Sequence, residues 1–345
     1  MFKRAITVLT VVVVVVCFTF LLSSPAISFA KAKSITFGDF SWDSVQIHNR
    51  IAGYVLEKAY GYRVSYSFGE SLPLLLGMAR GDVDVSMEIW SDNIEAWGKY
   101  VESGECLDLG PTYSDAGQGW YVPTYVIKGD PERGIKPMAP DLKSIEDLPK
   151  YWELFKDPEN PNKGRFYNGP TGWVVSSINM EKLKSYGLDK YYQSFEPGSD
   201  AALSTAIVSA YRKGEPIFFY YWEPTPILGL FDMTKIEEPP YDINLWNEEN
   251  GYRCDFPKSK VHVGASAKLL QKDPFVISFL ANYEATIEQT NEALAYMWQN
   301  EVRPKDAAIW FLKKFPEQWE QWFPISGDPH IDKLKEALDK EVVKE

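Results

Sequence analysis

The chain has 345 residues, 36 basic against 48 acidic side chains for a net charge of −12, and only three cysteines and three histidines. That acidic balance argues against nucleic acid or an anionic membrane surface as a partner and favours solubility. There is no Cys/His cluster at zinc spacing and no glycine-rich phosphate loop, so no metal and no cofactor is expected.

The first 30 residues stand apart from the rest. "MFKR" supplies positive charge, "AITVLTVVVVVVCFTFLL" is an apolar run, and Ser28 and Ala30 are small, the layout of a secretory signal peptide cleaved after Ala30. A retained membrane anchor is the alternative, because the apolar run approaches spanning length. Cys17 follows Val16 rather than a small residue, which argues against a lipoprotein. The expected location is periplasmic or otherwise extracytoplasmic. Cleavage removes two of the basic side chains, Lys3 and Arg4, and takes the charge from −12 to −14. The remaining chain of about 315 residues suggests two lobes.

Strands and helices then alternate. "SITFGDF" reads as a strand, and "WDSVQIHNRIAGYVLEKAYG" as a helix with Ile47, Ile51 and Val55 on one face and a stop at Gly61. "YRVSYSF" is a second strand, "SLPLLLGMARG" a second helix and "DVDVSMEIW" a third strand. "GQGWYVPTYVIKGD" is an extended segment suited to crossing between lobes. After residue 160 the pattern recurs: "GRFYNG" as strand, "GWVVSSINMEKLKSYGL" and "SDAALSTAIVSAYRKG" as helices, "EPIFFYYW" as strand. "KVHVGASAKLL" is a strand returning to the first lobe, and the rest is largely helical. The implied division is 31–125 for the first part of lobe I, 126–256 for lobe II and 257–345 for the return. Strand–helix alternation predicts an α/β fold with mostly parallel sheets.

Two segments repeat one layout. "ARGDVDVSMEIW" and "YRKGEPIFFYYW" each run helix end, Gly, acidic residue, strand, Trp. Likewise "ITFGDF" and "RFYNG" are each followed by a Trp and a helix. Ligands of open α/β sheets bind beyond the carboxyl ends of the strands, and Trp42, Trp90, Trp173 and Trp222 all fall there. A single Trp is usually packing; four at equivalent positions point to an aromatic cage. Indole faces attract a desolvated cation by roughly 0.5–2 kcal/mol per contact. A quaternary ammonium suits them because it has no N–H to satisfy. For a ligand tail, the backbone N–H groups near Gly172 and Trp173 open a helix and favour an anion. Thr171 reads equally as a donor or a cap, while Asp43 and Ser44 read first as helix caps and second as contacts to a polar ligand end.

"GDVDVSMEIW", "GWVVSSINMEKLKSYGL" and "FFYYWEPTPIL" resemble the substrate-binding proteins of glycine betaine, proline betaine and choline ABC importers, over about residues 34–300. The resemblance implies a two-lobed, type II periplasmic-binding-protein fold with the ligand cleft between the lobes. It also implies a monomer that delivers a quaternary amine to an ABC permease in the cytoplasmic membrane. It makes Trp42, Trp90 and Trp222 box walls, Trp173 the opening of a second-lobe helix, and either Trp120 or Tyr121 a further wall. Family members that bind betaine often place a His shortly after the last Trp; here Glu223 and Thr225 stand there. Glu88 or Glu223 in the cleft would favour a ligand of net positive charge, and alternation sends Glu88 and Trp90 to the same side of their strand.

Two other readings compete. Aromatic platforms also stack sugars, and Glu88 with Glu223 would then be the acid and base of an exported glycosidase or lyase. A sensory binding protein is the third reading. His48, at mid-helix, is expected at the surface or half-buried. Cys106 and Cys254 either pair in an oxidising compartment or are buried free thiols.

Overall fold

The computed structural model describes residues 33–325 and 327–344; the expected signal peptide, with Cys17, lies outside the described residues. Among the described residues no helix is long and apolar enough to cross a membrane.

β1 (Ser34–Asp39) and β2 (Arg63–Phe68) pair in parallel from Ser34↔Arg63 to Asp39↔Phe68, and β3 (Val85–Ile89) joins β1 on the other side. The helix Asp43–Lys58 connects the first two strands, burying Val45, Ile47, Ile51 and Val55 against the sheet. β4 (Cys106–Ala116) leads straight into β5 (Gln118–Pro123), which belongs to a second sheet with β6 (Gly164–Tyr167), β7 (Tyr192–Phe195), β8 (Phe219–Trp222) and β9 (Met233–Lys235). β10 (Ser259–Ser266) returns to the first sheet.

The strand orders are β2-β1-β3-β10-β4 and β7-β6-β8-β5-β9. In each sheet the first three strands are parallel and the last two pairings are antiparallel. The sheets are thus mixed where mostly parallel ones were expected. The reason is connectivity: β10 and β5 each reach their sheet from the other lobe rather than by a strand–helix crossover, so nothing forces them parallel. The first crossing lies between Ala116 and Gln118, earlier than the expected boundary at 126.

The near-repeat has a structural cause. Helices Ser71–Arg80 and Asp200–Lys213 precede β3 and β8, and each ends on a left-handed glycine, Gly81 (φ 81°) and Gly214 (φ 72°), whose N–H closes the last turn. A side chain there would be strained. One buried cluster packs lobe I behind its sheet with the C-terminal helices around Trp319 and Trp322. The other runs from Phe40, Trp42 and Trp90 of lobe I into Trp173, Phe218 and Trp222 of lobe II, so the lobes are closed on each other.

His48 is fully buried, not half-exposed: its ring nitrogens meet the Tyr283 hydroxyl at 2.6 Å and Thr290 Oγ1 at 3.1 Å, and burial lowers its pKa to about 3. The helix turns that residue toward the C-terminal helices. Cys106, on β4, and Cys254, on lobe II, are both buried free thiols, which decides against pairing. Burial pushes the Cys106 thiol up to about 12.

Candidate functional site

Four strand ends supply four indoles. Trp42 is the N-cap residue of Asp43–Lys58, three residues past β1; Trp90 follows β3 directly; Trp173 is the N-cap residue of the helix Val174–Ser185; Trp222 ends β8. All four are less than a tenth exposed and wall one cavity. Its volume is about 40 Å³, against the ~10–15 Å³ that one water needs. The rings meet across the lobes. Trp42 of lobe I and Trp173 of lobe II stand edge to face at 5.3 Å, and within lobe II Trp173 and Trp222 do so at 4.9 Å. Phe40 stacks behind Trp42 at 4.8 Å and Tyr220 behind Trp222 at 6.1 Å.

Polar groups fix the walls. Trp42 Nε1 donates to Glu88 Oε2 at 2.7 Å, and the Ser44 hydroxyl donates to the same oxygen at 3.1 Å. Glu88 is fully buried; burial raises its pKa to about 7, against the opposing pull of donors that include Trp42, Ser44, Tyr113 and Trp90. An acceptor on the indole N–H makes the ring face more electron-rich, which strengthens it toward a cation. Trp173 Nε1 donates across the cleft to the Ser41 hydroxyl at 2.8 Å.

Trp42, Trp90, Trp173 and Trp222 therefore come together as the sequence placed them; the other candidates do not. Glu88 lies behind Trp42 instead of in the cavity. Trp120 is fully buried in lobe II, packed on Phe166 at 4.9 Å with Nε1 donating to Asn179 at 2.7 Å. Tyr121 and Glu223 line a separate polar cavity with Asp92, Lys235, Asp255 and Lys258. Thr171 is exposed and donates to Glu196 at 3.2 Å. Gly172 (φ 97°) faces Glu70 of lobe I so closely that a Cβ would sit 2.8 Å from its Cγ. Asp43 opens its helix without capping it. Opposite it, Asp200 is pushed up to about 8, by burial first and by the nearby Asp43 carboxylate second. That residue keeps partial solvent exposure as a whole, so the burial applies to its carboxyl.

Sequence reasoning missed part of the lining: Ser71, Asn93, Ile94, Val174, Val175 and Tyr220. Tyr220 was findable, since it precedes Trp222 by two on β8 and so shares its face. Ser71 starts a helix, and Asn93 and Ile94 sit in the turn after Trp90; no pattern marks them. Because Trp173 caps its helix without a side-chain bond, the N–H groups of Val174 and Val175 have no partner one turn back.

Comparison with known proteins adds to this geometry. Residues 33–314 match the model of the substrate-binding domain of ABC-type glycine betaine transport systems. The chain belongs to this family. It is 24% identical over 289 residues to the glycine betaine/proline betaine-binding periplasmic protein of Escherichia coli (strain K12), covering 78% of this chain and 81% of that one. Among solved structures it resembles the glycine/betaine/L-proline-binding protein of Borrelia burgdorferi, with TM-score 0.70 and 19% identity over 88% of this chain and all of that one. It also resembles an ABC-transporter choline-binding protein in complex with choline, with TM-score 0.70 and 20% identity over 88% and 98%. These folds are type II periplasmic binding proteins, with the cleft between two lobes. The family consists of substrate-binding proteins of ABC importers, which bind small ligands and deliver them to a membrane permease; it is not a family of enzymes. The glycosidase reading falls with this, and the geometry agrees, because Glu88 and Glu223 flank no common site.

Proposed function

We propose that this family member captures a quaternary-ammonium compatible solute, of the glycine betaine or choline kind, outside the cytoplasm and hands it as a monomer to its permease. One observation carries the reading: four indoles, two from each lobe, wall a single cavity that no charged side chain lines. A cation with N–H groups would lose its hydrogen bonds to water there with no carboxylate to replace them, whereas a trimethylammonium has no N–H bond to lose. Closure removes water and strengthens each cation–indole contact. The carboxylate or hydroxyl of the ligand would meet the free N–H groups of Val174 and Val175, at the positive end of a helix. Trp42, Trp90, Trp173 and Trp222 are the residues assigned to the cation, with Tyr220 behind them.

The test is titration of the purified protein with glycine betaine, choline, carnitine, proline and a sugar, read by intrinsic Trp fluorescence and calorimetry. Saturable binding of at least one trimethylammonium compound, with none of proline or a sugar, is the expected outcome. A response to an ordinary amino acid or a sugar and to no methylated amine would overturn it.

A further inference from the structure

The chain between β9 and β10 makes a long excursion over lobe II, residues 236–258, that the cage does not need. Its base is anchored. Glu238 Oε2 and Lys182 Nζ form a fully buried ion pair at 2.7 Å, Tyr186 donates to Glu238 at 2.9 Å, and Lys182 also donates to the carbonyl of Cys254. The Asp255 N–H donates to the Pro239 carbonyl at 2.6 Å and closes the excursion into a loop. Within it Trp246 packs on Tyr252 and Phe256, each at 5.2 Å.

The far side of that ring leaves lobe II. Trp246 Nε1 donates at 2.8 Å to the backbone carbonyl of Asp92, in the turn that follows Trp90 in lobe I. The next residue, Asn93, lines the cage and donates to Gln118 Oε1 at 2.9 Å; the same oxygen accepts the Tyr220 hydroxyl at 2.8 Å. A continuous set of hydrogen bonds thus runs from the excursion through the lobe I turn to the ring stacked on Trp222.

We propose that residues 236–258 form a strap that holds the lobes closed, with Trp246 as a positioning residue that fixes the Trp90–Asn93 turn against lobe II. The proposal rests on the closed-cage reading above. Opening the cleft breaks the Trp246–Asp92 bond but none of the bonds at the strap's base, because those lie within lobe II. The strap therefore acts on how long the cage stays shut, not on how the ligand finds it. The partner is a carbonyl, so the side chain at position 92 does not matter to it.

Trp246→Phe keeps an aromatic ring and deletes the N–H. Stopped-flow release of choline and glycine betaine should quicken about threefold to tenfold, as expected for one net hydrogen bond, with the association rate changed less than about twofold. Paired spin labels, one per lobe, should show the ligand-free variant shifted toward the open distance. Asp92→Ala should release ligand like the parent protein. Unchanged release and unchanged lobe distances in Trp246→Phe would overturn the strap, as would Asp92→Ala matching its effect. If the parent protein binds neither compound, the ligand reading fails, while the label distances still decide the strap.

Discussion

The two lobes build their halves of the cage at the same topological positions but hold them differently. In lobe I the fixing is internal: Trp42 is bound to Glu88 of its own sheet, and Trp90 lies near the same carboxylate. In lobe II Trp222 leans on Tyr220 and Tyr221, and Trp173 finds its N–H acceptor, Ser41, in the other lobe. The lobe I wall is thus fixed by a bond within its own lobe, while part of the lobe II wall is fixed by a bond that crosses the cleft. This division predicts that the lobe I half is preset before closure, so that a ligand docks on it and is sealed by the other.

The sharpest way to break this comparison is to remove a preset wall. Trp42→Ala deletes a cation–indole face and the stack on Phe40, and it leaves Glu88 without its principal donor. Central aromatic anchors commonly cost 2 kcal/mol or more on truncation, so affinity for the bound trimethylammonium compound should fall about a hundredfold by calorimetry. Trp120→Phe, outside the cage, should leave affinity within about threefold despite any loss of stability. Equal losses from both substitutions would mean that the cavity is not the binding site.

This contrast also shows what the sequence could reveal. The four cage indoles were legible because their signal is local: a strand and then a Trp, with the strands before Trp90 and Trp222 each preceded by a left-handed glycine, Gly81 and Gly214. Trp120 was misread because the run "GWYVP" is buried on both faces, and alternation alone cannot tell core from cleft when both are apolar. The antiparallel placement of β5 and β10 was illegible for a different reason. Strand direction there depends on chain crossings more than a hundred residues apart, not on any local pattern. Glu88, which alternation sends to the side of Trp90, is instead buried behind Trp42 by a helix 40 residues earlier in the chain.

Glu88 offers a second, smaller test. Its folded pKa, about 7, lies above the ordinary value of 4.5, so the folded chain binds a proton that the unfolded chain releases between those values. This group's contribution to stability therefore declines as pH rises from about 4.5 to about 7 and is level above. Glu88→Gln keeps an oxygen acceptor for Trp42 and Ser44 and abolishes the titration. Relative to the parent, the variant should gain on the order of 1–3 kcal/mol between pH 5 and pH 8, measured as the difference in melting behaviour at the two pH values. A flat difference would mean that Glu88 does not change protonation in this range. Ligand affinity should fall only a few-fold, because the indole keeps its acceptor but loses charge behind the ring.

The smallest effect belongs to the bond made by closure. Ser41→Ala removes the acceptor of the Trp173 N–H without touching any wall of the cavity. One net hydrogen bond contributes about 0.5–1.5 kcal/mol, and here it exists only when the lobes meet. Ligand release should therefore quicken about twofold to tenfold while the association rate stays near the parent value. Ser44→Ala is its counterpart within lobe I, removing a bond to Glu88 whose two partners lie in the same lobe, so that it does not depend on closure. It should lower thermal stability and leave the release rate nearly unchanged. If the two substitutions instead shift release equally, then lobe I is not preset, and both halves of the cage assemble only on closure.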